Sequence, residues 1–452
     1  MTLQPLTSGI EQLPDTSQVV DFALVQRLRT TVAAGLNAER RRRADDEQLR
    51  EMTSQDELLF ADSLITRSIA AEKQDQMQLG HRLTGEDELR AALRAAIFGL
   101  GRLQPLVDNP ALSDIAINGC DQVWVKTLSG QKLRGPAVAE SDEELIQWVR
   151  DTATYNGLSS RPFDPANPYL QMRLPGNHRL TAQMSTSERP VVSIRLYRLQ
   201  SVRMHELHAR GMFTDRIGAF LHAAVRAKKA IMLVGETGSG KTTLLRALAN
   251  EIPARERIIT IEHFLELGLP PELHPDLVAF EERPANAEGL GAVTMEDLVM
   301  NSRRMDPDRV ILGECIGPEV VALLDSITQG NAGGLSTIHA PTAHAAIDKI
   351  ALYAVKAPTP LTMEAANMLT SIGLDLLVLV KKTELPDGTV RRHVASIVEV
   401  GKYDGQQVIT NELFRAPTGA VQALPKAALS DELRESLKAA GYDDKQWAQD
   451  AR

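Results

Sequence analysis

Eight consecutive residues, Gly235-Glu236-Thr237-Gly238-Ser239-Gly240-Lys241-Thr242, carry the most explicit chemistry in the chain. They follow the apolar stretch Ala230 to Val234 and precede the helical run Thr243 to Ala249, so strand, glycine-rich loop and helix come in that order. Glycines in such a turn let backbone N–H groups close around phosphate oxygens, and a helix N-terminus adds partial positive charge. Lysine at the seventh position supplies charge for the β- and γ-phosphates, and the Thr242 hydroxyl is placed for Mg²⁺. Gly235 through Thr243 is therefore read as the binding run for ATP with Mg²⁺, with Lys241 facing solvent while the site is empty.

Further along, polar residues stand just after apolar runs. Glu262 follows Ile258-Ile259-Thr260-Ile261, Glu314 follows Val310-Ile311-Leu312-Gly313, and His339 follows Ser336-Thr337-Ile338. If these runs are strands of one parallel sheet, their carboxyl ends meet at the crevice where the glycine loop begins. A carboxylate there orients an attacking water or holds a metal-bound water, the catalytic role read for Glu262 and Glu314, with Glu314 reaching Mg²⁺ through water. His339 is placed to sense the γ-phosphate. Singly, a strand-end charge, a helix N-cap neighbour and a core histidine explain them as well; together, in register behind a phosphate loop, they favour catalysis.

Elements to hold such a crevice are visible in the pattern. Apolar segments (Ala230 to Val234, Ile258 to Ile261, Val310 to Leu312, Leu335 to Ile338, Leu374 to Val380) alternate with helical ones, which implies an α/β fold with a mainly parallel sheet. Residues 212–452 form this unit, ending in a helical tail after Glu412, and 201–211 reads as a linker. A smaller α/β domain is expected over 91–200, with a helix from Glu143 to Thr152 and strands Tyr169 to Leu174, Arg179 to Met184 and Val191 to Leu196. Residues 1–90 read as a helical region, Val20, Ala23, Leu24 and Leu28 being spaced for one helix face. Its run Glu39-Arg40-Arg41-Arg42-Arg43, balanced by Asp45, Asp46 and Glu47, reads as a solvated face.

The chain's 452 residues suggest about three domains at ~150 residues each. With 43% hydrophobic and 24% charged residues it is of globular composition. Fifty basic against 59 acidic residues leave −9, which argues against a protein that coats nucleic acid or anionic lipid, and no direct nucleic-acid contact is expected. Cys120 and Cys315, with no CxxC or Cys/His spacing, support neither a disulfide framework nor a zinc site, and a reducing cytoplasm fits best. No run approaches the ~20 residues of a spanning helix, and no secretory leader is expected.

Gly235 to Thr242, Ile261-Glu262, Arg309 to Glu314 and Ser336-Thr337-Ile338-His339-Ala340 resemble the Walker A, Asp box, Walker B and His box of type II/type IV secretion ATPases. Leu112 to Gly119, Arg161-Pro162, Arg173-Leu174-Pro175-Gly176, Arg283-Pro284, Arg304-Met305 and Leu413-Phe414-Arg415 are most similar to the CpaF/TadA group of tight-adherence (Flp-type) pilus assembly, with TrbB-type conjugation ATPases nearby. The resemblance spans about residues 95 to 440. It implies a RecA-like P-loop ATPase domain and a homo-hexameric ring. The ring would hydrolyse ATP with Mg²⁺ in the cytoplasm, peripherally attached to an inner-membrane platform protein of a pilus or secretion system. It also assigns Arg179 and Arg195, on the smaller domain, as arginines that meet nucleotide phosphates, and suggests Arg304 and Arg309 as subunit-interface charges.

Some positions depart from the pattern. His263 replaces an acid after Glu262, Ile316 replaces an arginine after Glu314-Cys315, and Pro341-Thr342 flank the His box. Arg304 or His344 is expected to make up for the arginine missing at Ile316. The alternatives are a nucleotide-gated scaffold with little hydrolysis, or a TrbB-type conjugation ATPase.

Overall fold

The computed structural model describes residues 21–46, 50, 52–155, 162–197, 202–286, 288–386 and 388–443. The chain divides into two compact units, with the division between residues 198 and 199.

The first unit opens with α1 (Phe22–Asp45), α2 (Ser54–Gln78) and α3 (Glu86–Phe98). Asp21 caps α1 by accepting from the N–H groups of Ala23 and Leu24, and Thr53 with Asp56 forms a capping box on α2. The buried residues recur at every fourth position: Leu24, Leu28, Val32 and Leu36 on α1, Ala61, Ile65 and Ile69 on α2, Leu89 and Leu93 on α3. That spacing gives each helix one apolar stripe, and the three stripes close on each other. Because Leu93 continues the stripe of Leu89, the helical region runs through Phe98, past the boundary expected at residue 90. The arginine run is a solvated face: Arg40 pairs with Glu57 at 2.8 Å, and Arg42 and Arg43 pair with Glu39.

After the short α4 (Gln104–Asp108) come β1 (Leu112–Asn118), β2 (Val123–Thr127), β3 (Lys132–Arg134), α5 (Asp142–Tyr155), β4 (Tyr169–Leu174), β5 (His178–Gln183) and β6 (Val191–Arg195). The strands form an antiparallel sheet in the order β3-β2-β1-β6-β5-β4. Alternate residues such as Leu170, Met172 and Leu174 turn into a core shared with Leu145 and Val149 of α5, while Tyr169 and Arg173 turn outward.

The second unit contains α6 (Met204–Ala209), α7 (Asp215–Arg226), β7 (Ile231–Val234), α8 (Lys241–Ala249), β8 (Ile258–Glu262), β9 (Leu277–Glu281), α9 (Met295–Ser302), β10 (Arg309–Cys315), α10 (Glu319–Thr328) and β11 (Leu335–Ile338). It continues with α11 (Ala343–Val355), α12 (Met363–Gly373), β12 (Leu376–Glu384), β13 (Val390–Tyr403), β14 (Val408–Arg415), β15 (Leu424–Pro425) and α13 (Asp431–Ala439). The sheet order is β15-β14-β13-β12-β7-β11-β10-β8-β9, with β12 through β9 parallel and β12 through β15 antiparallel. Leu233, Ile311 and Val378 face one core with α7, α8 and α13; Met232, Leu312 and Leu377 face the other with α9, α10 and α11. Burial on both faces explains the unbroken apolar runs.

Within the stretch 201–211, expected as a linker, residues 202–211 are part of this packing. Met204 and Leu207 of α6 are buried in the first of those cores, and the Asn250 side chain donates to the Val202 carbonyl at 3.0 Å. The tail after Glu412 is only partly helical, since β14 runs on to Arg415 before β15 and α13.

Arg309, expected as a subunit-interface charge, is instead fully buried. Its Nε donates to Glu256 Oε2 at 2.6 Å and its Nη2 to the Val225 carbonyl at 2.8 Å. An internal guanidinium is tolerated only when paired in this way. Arg309→Leu should cost about 3 kcal/mol of stability, the lower end for a broken buried pair because Lys228 remains 3.7 Å from Glu256. Denaturant unfolding checks this, and adding Glu256→Leu should restore part of the loss.

Candidate active site

The wholly buried β7 delivers the chain to Gly235, and α8 starts at Lys241. Two glycines are required here: a Cβ on Gly235 would collide with the Val380 carbonyl of β12, and Gly240 is held at φ 101°, with Met212 Cε and Arg392 Cδ 3.1 and 3.3 Å from where a Cβ would stand. Glu236, Thr237 and Gly238 form the exposed apex, and Thr242 and Thr243 lie half-buried in the first turn of α8. The Ser239 hydroxyl oxygen is buried and finds no partner among the described residues.

Lys241 does not face solvent. It is 5% exposed, and its Nζ donates to the carbonyls of Gly235 (2.9 Å) and Glu236 (3.1 Å) and lies 3.1 Å from His339 Nδ1. The loop carbonyls and an imidazole serve the ammonium that water would otherwise solvate. Burial pulls its pKa down to about 8, and Glu314 opposes that pull.

His339 and Glu314 complete the chain. In register, Ile338 of β11 lies beside Val234 of β7 on one side and Cys315 of β10 on the other, which brings the three strand ends to one level. His339 Nε2 is 2.7 Å from Glu314 Oε1. An ammonium only donates, so Nδ1 accepts from Lys241 and Nε2 carries the proton donated to Glu314. Burial first, then Lys241, holds the His339 pKa below its ordinary value, against the pull of Glu314. Lys349 donates to the His339 carbonyl at 2.7 Å and fixes the backbone there.

Glu262 stands apart from this chain, because β10 lies between β8 and β11. It is buried, packs against Gly313, where a Cβ would be only 3.0 Å from its Cγ, and its Oε2 accepts from the N–H groups of Glu266 and Leu267, both at 2.8 Å. It fastens the loop that follows β8, and burial raises its pKa to about 7. His263 beside it pairs through Nδ1 with Glu282 after β9.

Ile316 is 50% exposed, and its N–H and that of Gly317 donate to Glu319 Oε1 at the start of α10. The buried Glu319 carboxylate is thus served by two backbone N–H groups. His344, expected as a replacement near Ile316, bonds Thr410 instead at 3.1 Å, and Arg304 is exposed. Cys315 is buried against Ser336, with its thiol pushed up away from the thiolate.

In the first unit Arg179 and Arg195 sit directly opposite each other on β5 and β6, with Arg173 of β4 opposite Arg179. Asp114, opposite Arg195 on β1, approaches it at 4.0 Å. The register thus sets three arginines side by side across β4, β5 and β6, with Asp114 at the edge of the row. Arg173, from the Arg173-Leu174-Pro175-Gly176 motif, joins the expected pair through the register of β4.

A parallel sheet whose phosphate-loop strand lies between β12 and β11, with β10 and β8 beyond, defines a RecA-like P-loop nucleotide-binding unit. Residues 98–382 match the family model "Type II/IV secretion system protein", and the chain belongs to that family. Among its relatives, the type IV secretion system protein PtlH of Bordetella pertussis is 30% identical over 334 residues, covering 68% of this chain and 95% of PtlH. VirB11 of Agrobacterium fabrum is 33% identical, covering 52% and 75%, and a putative conjugal transfer protein of Mycobacterium tuberculosis is 32% identical, covering 57% and 74%. Among solved structures, the Brucella suis VirB11 ATPase crystallised with sulphate aligns at 26% identity and TM-score 0.36 over 69% of this chain and 96% of that one. The pilus retraction motor PilT with bound ADP aligns at 16% identity and TM-score 0.45 over 77% and 88%.

Glu262 gives the site a pH signature. Its raised value means the folded protein holds this proton more tightly than the unfolded chain, so its stabilisation is complete below about 4.5 and lost as pH rises through about 7. Glu262→Gln should remove that component, on the order of 2–3 kcal/mol between these limits. Melting temperatures of the two proteins should lie closest at pH 5, where the amide mimics the protonated carboxyl, and separate toward pH 8, where the wild type alone loses stability.

Proposed function

We propose that this protein hydrolyses ATP to ADP and phosphate with Mg²⁺, and that the observation carrying this reading is the Lys241–His339–Glu314 chain at the mouth of the glycine loop. The residues present suit the nucleotide and metal: an unpartnered buried Ser239 hydroxyl, a lysine folded onto loop carbonyls and the Thr242 hydroxyl in the first helical turn. Thr242 would hold Mg²⁺ directly and Glu314 through water, and the bound ion would supply charge neutralisation for the β- and γ-phosphates. When phosphate enters, Lys241 exchanges the Gly235 and Glu236 carbonyls and His339 for phosphate oxygens. Glu314 orients the attacking water and accepts its proton, and His339, released from Lys241, reports whether the γ-phosphate is in place. Glu262 supports this by fixing the adjacent loop. Arg179 and Arg195 supply guanidinium groups to the phosphates when protomers assemble.

The wider reading is a homo-hexameric motor for tight-adherence (Flp-type) pilus assembly or secretion. It works in the cytoplasm against an inner-membrane platform protein, with no direct nucleic-acid contact. Family membership supports it, and no helix among the described residues is long and apolar enough to cross a membrane. The 32% identity to a putative conjugal transfer protein favours, as a second reading, a TrbB-type conjugation ATPase. A nucleotide-gated scaffold with little turnover is separated from both by steady-state hydrolysis.

Lys241→Ala should abolish turnover and weaken ATP binding, and should also shift the melting temperature of the nucleotide-free protein, since it deletes internal hydrogen bonds. Glu314→Gln should bind ATP normally yet hydrolyse it ~10²–10⁴-fold more slowly. Calorimetric binding beside single-turnover hydrolysis checks both, and wild-type turnover in Lys241→Ala would refute the assignment. If assembly completes the site, specific activity should fall on dilution; constant activity of a monomer would contradict it.

A further inference from the structure

The phosphate loop has a cationic flank that the reading above does not use. β12 and β13 continue beyond the body of the sheet as a hairpin, paired from Lys381 with His393 to Glu384 with Val390. Within it Lys382 and Arg392 stand directly opposite each other, so their side chains project from the same face. That face is the one turned to the glycine loop: Arg392 Nε donates to the Gly238 carbonyl at 2.9 Å, and its Cδ lies 3.3 Å from the Cβ position of Gly240.

Two features of this pair want explaining. Directly opposed like charges weaken a hairpin, and neither Lys382 nor Arg392 forms an ion pair with a carboxylate among the described residues. Both side chains are exposed, so neither is kept for core packing. Of the nearby groups, Glu384 is an exposed carboxylate two residues along β12 on the same face and forms no ion pair with Lys382 or Arg392; Arg391 adds another cation and donates to the Arg210 carbonyl at 3.3 Å, and burial and Lys381 lower the pKa of His393 on the buried side. Only one N–H of Arg392 is used on Gly238, which leaves the rest of its fork for an anion.

We propose that the Lys382–Arg392 pair is a second phosphate-binding element of the nucleotide site, approaching the polyphosphate from the β12–β13 side while Lys241, His339 and Glu314 hold the opposite side. Arg392 has two tasks in this arrangement. It positions the loop apex through Gly238, and with Lys382 it supplies charge to the polyphosphate. The cross-strand repulsion in the empty protein is relieved when the anion arrives, so the hairpin favours the nucleotide-bound state. This inference rests on the ATP-site reading, and its test keeps the two apart.

The full-length protein is titrated with Mg-ADP and with Mg-ATP at several KCl concentrations, for the wild type, Lys382→Met, Arg392→Gln, Arg392→Lys and Lys241→Ala. Lys382→Met should weaken both nucleotides by about 10-fold and flatten the dependence of log Kd on log[KCl], with its melting temperature unchanged or raised because the repulsion is gone. Arg392→Gln should do the same to the salt slope and raise KM for ATP more than it lowers kcat. Arg392→Lys should restore the salt slope. An unchanged Kd and salt slope in Lys382→Met would overturn the proposal, and Arg392 would then be a structural latch on Gly238 alone. Absence of nucleotide binding in the wild type, or wild-type affinity in Lys241→Ala, would instead overturn the ATP-site reading itself.

Discussion

A charged lysine held inside the crevice of a parallel sheet is the constraint around which the second unit is organised. Lys241 is almost completely buried, and burial pulls its pKa down to about 8. Each element close to it offsets that cost. The glycine loop turns the Gly235 and Glu236 carbonyls inward, β11 ends on an imidazole whose Nδ1 accepts, and β10 ends on a carboxylate that holds the far side of the imidazole. Remove the parallel register of β7, β11 and β10 and these groups no longer meet.

The arrangement leaves no charge at the loop mouth without a partner. Loop carbonyls and His339 serve the ammonium, and on the proposed reading a phosphate would exchange with these partners and add no new buried charge without one. Glu262 plays a different part, with a carboxyl group clamped on two backbone N–H groups one strand farther out. The two glutamates that look alike in sequence, each closing an apolar run, are thus separated by strand order into a group facing the loop mouth and a group bracing the loop beside it.

Much of this was legible in the sequence, and the boundary of legibility is physical. Periodicity and glycine spacing announced the strand–loop–helix of Gly235 to Ala249 and the strand ends at Glu314 and His339, because those depend on local pattern and on the rule that parallel strands share a carboxyl edge. Partners set by strand order or register were not legible. Arg309 reads as one more charge before an apolar run, and only its position beside Glu256 makes it internal. Arg392 carries no spacing signal, and Arg173, legible only as part of Arg173-Leu174-Pro175-Gly176, gives no sign of its neighbours; a hairpin return and a sheet register bring them together. Residues 201–211 read as a linker since six residues of helix leave little room for periodicity, yet Met204 and Leu207 bury α6. Arg161 and residues 1–20, parts of the sequence reading, lie outside the described residues.

The ionic chain through His339 is the feature that ties fold to chemistry, and its tautomer and titration can be read directly by nitrogen NMR of the labelled imidazole with and without a non-hydrolysable ATP analogue. In the nucleotide-free protein the account predicts a neutral ring protonated at Nε2, titrating below the ordinary histidine value of 6.5. Saturation with the analogue should draw Lys241 away and raise that value. A ring protonated at Nδ1 in the free protein, or a titration unmoved by saturating nucleotide, would contradict it.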